Sequence, residues 1–374
     1  MGDAKIAIIG AGLSGLVAAW QLDQQGRKDW RLFEARDRIG GRILSPEVLS
    51  PTREHPQAQP ANRLDLGPSW FWPEFQPQLA QLVQALGLQA YPQYASGDLL
   101  LERSSTAPAQ RFPNMPQVPE SMRLLGGMAA LTEALQARIG TDRLQLRTPI
   151  SRLTLDSRHA KIRLEALDAR GASVVIAEVD QVLLAIPPRL IADTLQFQPD
   201  LPPALQATWH QTETWMAPHA KYFAVYAEPF WRAQGLSGEA RSAVGPLNEI
   251  HDASIPDGPA ALFGFFALPA ATRAALSESE LRALCRAQLA RLFGAKAQSP
   301  LQELYQDWAQ ETFTATSTDR SASGEHPNPA PMMVDTGLWQ HRLLALASEC
   351  SPSTPGYLAG AVEAALLAVQ PALS

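Results

Sequence analysis

The sequence predicts an α/β fold: a doubly wound, Rossmann-like parallel sheet, with a smaller unit of mixed sheet and helices beside it. Three observations carry that expectation. Within the first 34 residues a short apolar strand, a glycine-rich turn, a helix and a second strand follow in order. Residues 218–232, PHAKYFAVYAEPFWR, alternate as a strand does on its way into a core. Residues 276–294, LSESELRALCRAQLARLFG, repeat leucine at helical spacing. With 374 residues, 46% of them hydrophobic and 18% charged, the chain can bury two cores.

The N-terminal stretch KIAIIGAGLSGLVAAWQLDQQGRKDWRLFE divides by task. Residues 5–9 read as a strand, Leu13 to Gln24 as a helix with Ala18, Ala19 and Leu22 inward, and Trp30 to Phe33 as a second strand ending at Glu34. Gly10 allows a tight turn, Gly12 lets backbone approach a pyrophosphate, and Gly15 lets the helix pack closely on the strand. Leu13 and Ser14 open the helix, whose free N–H groups and positive dipole end attract phosphate. Glu34, 22 residues after Gly12, stands where an acid would bind ribose hydroxyls. A glycine-rich turn alone would say little; the whole order points to a dinucleotide site.

The residues after the second strand select the dinucleotide. EARDRIGGR, residues 34–42, resembles the second fingerprint of the flavin-containing amine oxidase superfamily. By that resemblance Ala35 and Arg36 bind the cofactor, Gly40 and Gly41 allow a close turn, Arg42 faces the pyrophosphate, and FAD is the cofactor. Further segments are similar to the same family in order. LDLGPSWFWP (64–73) looks like the loop under the flavin, with Gly67, Pro68, Ser69 and Trp70. LLGGMAALTEAL (124–135) resembles the turn and helix that return to the cofactor domain, and LRTPISRL (146–153) the strand that meets adenine at Ile150. VLLAIPPRLI (182–191) contributes Ala185, and YQDW (305–308) contributes Trp308. ASECSPSTPGYLAGAVEAA (347–365) resembles the C-terminal motif, in which Glu349 meets the cofactor and a helix beginning near Tyr357 and Leu358 points at the flavin ring. The resemblance implies an FAD-binding domain of residues 1–75, 126–215 and 318–374, and a substrate-binding domain of residues 76–125 and 216–317.

Lysine is scarce, occurring at 5, 28, 161, 221 and 296. Alternation puts Lys221, Phe223 and Val225 on one face of their strand and Tyr222 and Tyr226 on the other. Taken alone, Lys221 is an ordinary solvated lysine at a strand end. Its setting, a strand followed by EPFW, resembles the monoamine oxidase segment whose lysine holds a water at flavin N5. The resemblance therefore makes Lys221 and Tyr357 the catalytic candidates, Tyr357 as one wall of an aromatic cage for the amine. Counting without gaps from Trp308 places Ser317 where covalently flavinylated members carry cysteine, so noncovalent FAD is expected. The second cage wall falls by the same count on Thr318; an insertion would put Phe313 or Trp339 there. Trp339 also reads as strand-edge packing.

The stretch between Trp70 and Gly126 is short, reading as one helix (78–87) and one strand (98–102), which suggests a more open site or one closed by proline-rich loops. Residues 46–62, 106–119 and 319–331 read as such irregular loops. Ser277 and Glu280 form a capping box ahead of Leu281, Leu284, Leu289 and Leu292. Glu228 reads as a partner of Arg232. His210 and His219 read as structural or surface residues, and Glu213, Glu249 and Asp252 as solvated acids.

A net charge of −6 argues against nucleic acid or an anionic membrane as partner. Two distant cysteines, Cys285 and Cys350, fit a reducing compartment, and the histidine spacing suggests no metal. No apolar run reaches the ~18 residues of a membrane span. A cytoplasmic location is expected. Three functions stay open: oxidation of an amine with oxygen as acceptor, desaturation or dehydrogenation of C–C bonds, and a binding module with a structural FAD.

Overall fold

The computed structural model describes residues 5–49, 62–113, 118–156, 161–168, 170–321 and 326–370. A parallel sheet of five strands runs in the order Leu343–Ala345, Gln181–Leu184, Ile6–Ile9, Trp30–Phe33 and Leu144–Gln145. Ile6–Ile9 is central, paired with Trp30–Phe33 on one side and Gln181–Leu184 on the other, and all four of its residues are buried. Unbroken burial is what a strand covered on both faces requires, which is why IAII shows no alternation. The helix Leu13–Gln24 covers one face, packed in one core with the C-terminal helix Leu358–Ala368. A four-stranded sheet, Ser173–Val179, Lys161–Leu167, Ile150–Asp156 and Gln196–Gln198, flanks this layer.

The larger mixed sheet has seven strands in the order Gln302–Asp307, Ala220–Tyr226, Ala260–Phe266, Leu247–Asp252, Leu236–Ser242, Asp98–Glu102 and Gln110–Pro113. The strand Ala220–Tyr226 lies between two antiparallel neighbours, with Lys221 opposite Phe265 and Gln306. All seven of its residues are buried, so its two faces serve two cores. Tyr222, Ala224 and Tyr226 pack under the helix Glu278–Phe293. Phe223 and Val225 pack against Leu64 and Leu66 of the loop that the sequence places under the flavin. That face is the one that carries Lys221, and it meets the loop.

The capping box of Ser277 and Glu280 is present at the head of the helix Glu278–Phe293. Its buried stripe is Leu281, Cys285, Gln288, Leu289, Leu292 and Phe293, while Leu284 is 45% exposed. Position 284 lies off a stripe spaced 281, 285, 288, 292, so the expectation of an inward Leu284 fails on helical geometry. Glu228 also departs from expectation: it pairs with Lys296 at 2.9 Å, and Arg232 turns to Asp252 at 2.8 Å. Nor is Asp252 a solvated acid, being 2% exposed. Between residues 71 and 125 the chain forms more than a helix (Pro77–Ala85) and a strand (Asp98–Glu102). Ala90–Pro92 pairs with Met122–Leu124, and Gln110–Pro113 adds an edge strand inside an expected loop. Of the three expected proline-rich loops, residues 50–61, 114–117 and 322–325 lie outside the described residues.

Replacing Ser277 by Ala removes the side-chain acceptor for the Glu280 amide and the donor to its carboxylate. Chemical denaturation of Ser277→Ala is expected to show a loss of about 1 kcal/mol, with the m-value unchanged.

Candidate active site

One long cavity of about 530 Å³ runs through the molecule. At one end it is lined by Gly10, Gly12, Leu13, Ser14, Glu34, Ala35, Arg36 and Gly41. Gly15 does not reach the cavity; a Cβ there would stand 2.0 Å from the Gly10 carbonyl oxygen, so its hydrogen sets how closely helix approaches turn. At Gly12 an added Cβ would meet protein only at 4.0 Å, so the backbone there borders open space. The Glu34 carboxylate accepts the Ala11 amide at 2.8 Å and the Arg36 amide at 2.9 Å. Those bonds fix its orientation at the cavity wall. Phe313 lies at this end too, 5.5 Å from the Arg36 guanidinium, and Ile150 and Ala185 complete the lining.

Arg42 spans the middle of the cavity. It bonds Glu349 through both terminal nitrogens, at 2.5 and 3.0 Å, and also Ser348 Oγ and the Trp215 carbonyl. Glu349 is fully buried and does not line the cavity. It holds Arg42, and the guanidinium is the group that faces the space.

Lys221 also lines the cavity, with its side chain 2% exposed. Its Nζ donates to the Gly67 carbonyl at 2.5 Å, Ser69 Oγ at 2.8 Å and the Asp65 carbonyl at 3.3 Å. The Phe263 and Phe265 rings lie 4.9 and 4.8 Å from it. Loss of solvation dominates this site and pushes the Lys221 pKa down to about 7, against the opposing pull of Asp65. His219, two residues earlier, faces the same cavity, and its Nδ1 is buried with no hydrogen-bond partner among the described residues. Burial and the nearby Arg273 lower its pKa, so the ring is neutral. Pro68, Ser69, Trp70 and Trp308 line the space around Lys221, and the Trp308 indole donates to the Leu66 carbonyl at 2.9 Å.

The far end is aromatic. Tyr357, Trp72 and Trp215 line it, with Leu358 and Met216. Tyr357 lies 4.7 Å from Trp215 and 6.1 Å from Trp72, and its hydroxyl meets His326 Nε2 at 2.9 Å. Of the sequence candidates for a second ring, Trp339 is fully buried elsewhere, edge-on to Phe197 with its indole on the Pro199 carbonyl. Phe313 is at the opposite end, and Ser317 and Thr318 do not line the cavity. Trp215, Trp72 and His326 are the rings that the topology brings to Tyr357, His326 stacking on it at 4.7 Å and 14°. His219 and Trp215 come from WMAPHAK, just ahead of the lysine, and only the alternation of His219 with Lys221 could have signalled either.

The Flavin containing amine oxidoreductase family model matches residues 97–373, and an NAD(P)-binding Rossmann-like domain model matches residues 8–86. The chain belongs to the flavin-containing amine oxidoreductases. A putrescine oxidase of Kocuria rosea is 24% identical over 419 aligned positions, covering 83% of each chain. The fold matches putrescine oxidase solved with putrescine (TM-score 0.76, 21% identity) and cyclohexylamine oxidase from Brevibacterium oxydans (TM-score 0.75, 20% identity), over 98% of each chain. Membership makes the protein an FAD-dependent oxidoreductase. The lining of the cavity suits FAD in its chemistry: open backbone and a helix N-terminus for phosphate at one end, a fixed carboxylate for a ribose, apolar walls beyond. Among the described residues no helix is long and apolar enough to cross a membrane.

Because the native state depresses the Lys221 pKa to about 7, the unfolded chain holds the proton up to the ordinary lysine value. Between these limits the unfolded state binds more protons, so this residue's contribution to stability rises with pH. For cofactor-free protein, the stability of wild type relative to Lys221→Met is expected to increase from pH 7 toward pH 10. The slope, read from denaturant titrations, is at most about 1.4 kcal/mol per pH unit.

Proposed function

We propose that this oxidoreductase oxidises amines, removing a hydride from the carbon beside the amine nitrogen, with oxygen as the final acceptor and peroxide as product. The observation that carries the reading is the single cavity that joins the Gly12–Glu34 end to a desolvated lysine and then to an aromatic chamber. Bound FAD supplies the hydride acceptor and returns the electrons to oxygen. The protein's part is position, dryness and charge. Tyr357, Trp215 and Trp72, with His326 stacked on Tyr357, exclude water at the substrate end and supply aromatic surface to an approaching ammonium. Tyr357 keeps its hydroxyl proton, since burial raises its pKa.

Lys221 is the proposed catalytic residue. All three donors of its ammonium are occupied, the longest bond being the one to the Asp65 carbonyl, so that carbonyl is the acceptor a water displaces most easily. Titrating near neutrality, Nζ can hold or release a proton, and as a cation it favours negative charge developing beside it. His219 supplies a second, neutral proton acceptor on the same wall. Toward the cofactor, Gly12, Leu13, Ser14, Glu34, Arg36 and Arg42 are the proposed phosphate and ribose contacts. Attachment is proposed to be noncovalent: Cys285 and Cys350 are free, buried in the two cores, and neither lines the cavity.

One observation favours a second reading. Trp215 and Tyr357 touch at a 48° tilt rather than facing each other across a gap, so they do not form a ready sandwich for an amine. Desaturation or dehydrogenation of C–C bonds needs no such sandwich.

Mixing the purified enzyme anaerobically with primary amines and polyamines is expected to bleach the flavin absorbance. If no amine bleaches it, the amine reading fails and the C–C reading takes its place. Lys221→Met is expected to retain FAD while reoxidation by oxygen slows by at least about tenfold; an unchanged rate returns Lys221 to a structural role. Acid precipitation is expected to leave the yellow colour in the supernatant, whereas a yellow pellet would mean a covalent link.

A further inference from the structure

A second cavity, of about 720 Å³, shares no lining residue with the first among the described residues. Tyr91, Gln93, Tyr94, Arg123, Arg232 and Asp252 form much of its wall. Arg123 is the anomaly there. It is 2% exposed, its Nε has no hydrogen-bond partner among the described residues, and Asp65 stands 3.9 Å from its Nη2. The Asp65 carboxylate is already engaged at Oδ1, by the Ser45 hydroxyl at 2.6 Å and the Met128 amide at 2.7 Å. Burial raises the Asp65 pKa, which weakens it further as a counter-charge. A guanidinium carries five donors in a fixed fork, and one buried with so little pairing is among the least favourable arrangements a fold can hold.

The other charges at this cavity show no such deficit. Arg232 donates to Asp252 at 2.8 Å and stacks 3.7 Å over the Tyr94 ring. Asp252 also accepts from the Trp231 indole at 2.8 Å and the Ser254 amide at 2.7 Å. Gln93 is fully used, accepting from the Trp70 indole and donating to the Asp252 and Tyr94 carbonyls. Glu120 and Asp257 line the cavity too, but both are exposed, where solvent screens them.

We propose that the second cavity is an oxyanion-binding site, in which Arg123 receives the carboxylate or phosphate group of a small molecule. A planar fork pairs with two oxygens of either group, and the volume falls within the range of small-molecule sites. The site is separate from the amine-oxidising cavity and does not depend on that assignment.

The test is calorimetric titration of the FAD-loaded enzyme with acetate, glutarate and inorganic phosphate, using chloride at matched ionic strength as control. FAD keeps the phosphate-binding end of the first cavity filled. A saturable heat with one site per chain, and a melting temperature raised at saturation, is the expected result. Whichever arm binds tighter identifies the source of the oxyanion. Arg123→Gln is expected to weaken binding at least tenfold with the flavin spectrum unchanged. If that variant does not fold, Arg123→Lys, which keeps the charge but loses the fork, serves in its place and is expected to weaken binding less. No saturable heat from any of the three oxyanions in wild type up to roughly 50 mM, or equal binding in an Arg123 variant, overturns the proposal.

Discussion

Taking one ammonium out of water sets the terms for the middle of this molecule. Lys221 loses its hydration on a strand with every residue buried, and that is tolerable only if oxygens replace the lost water. They come from Asp65, Gly67 and Ser69, so the loop after residue 64 must lie against the seven-stranded sheet. Gly67 in turn lies against Arg42, where a Cβ would come within 1.9 Å of the Arg42 carbonyl oxygen. Arg42 is clamped by Ser348 and Glu349 ahead of the C-terminal helix. One desolvated charge therefore links four distant pieces of chain, and the cavity is the space left between them.

The parts of the fold legible in the sequence are those with a local cause. The strand–glycine–helix–strand order at the N-terminus folds as it reads because Gly10 and Gly15 each answer a nearby backbone, and the boundaries of the helix Leu13–Gln24 agree. The helix Glu278–Phe293 announces itself through its capping box. Lys221 is legible only through the resemblance of its segment; rarity and the apolar run alone leave it a solvated strand end, and its burial overturns that. Leu284 is misread when a count of leucines replaces the helical angle, and Cys285 and Gln288 take the inward places.

What escapes has a tertiary cause. Trp215 and Trp72 reach Tyr357 from separate segments, and nothing in WMAPHAK or SWFWP says that these rings meet. That the Glu349 carboxylate bonds both terminal nitrogens of Arg42, 307 residues away, is likewise invisible in its motif. Arg123, between a bulky Met and two leucines, is invisible to any pattern; only its failure to find a partner in the fold marks it. Asp252 reads as a surface acid because sequence does not reveal that Arg232 and Trp231 fold back on it.

The order of the parallel sheet has a consequence for how the protein is made. Ile6–Ile9 needs Gln181–Leu184 on one side, and that strand needs Leu343–Ala345 in turn. Contacts of such sequence separation form slowly, and here Leu343–Ala345 is made more than 300 residues after Ile6–Ile9. The nascent strand Ile6–Ile9 must therefore wait with one edge uncovered. Slower elongation lengthens that wait, so yield in a foreign host should depend on synthesis rate and holdase supply rather than on final stability.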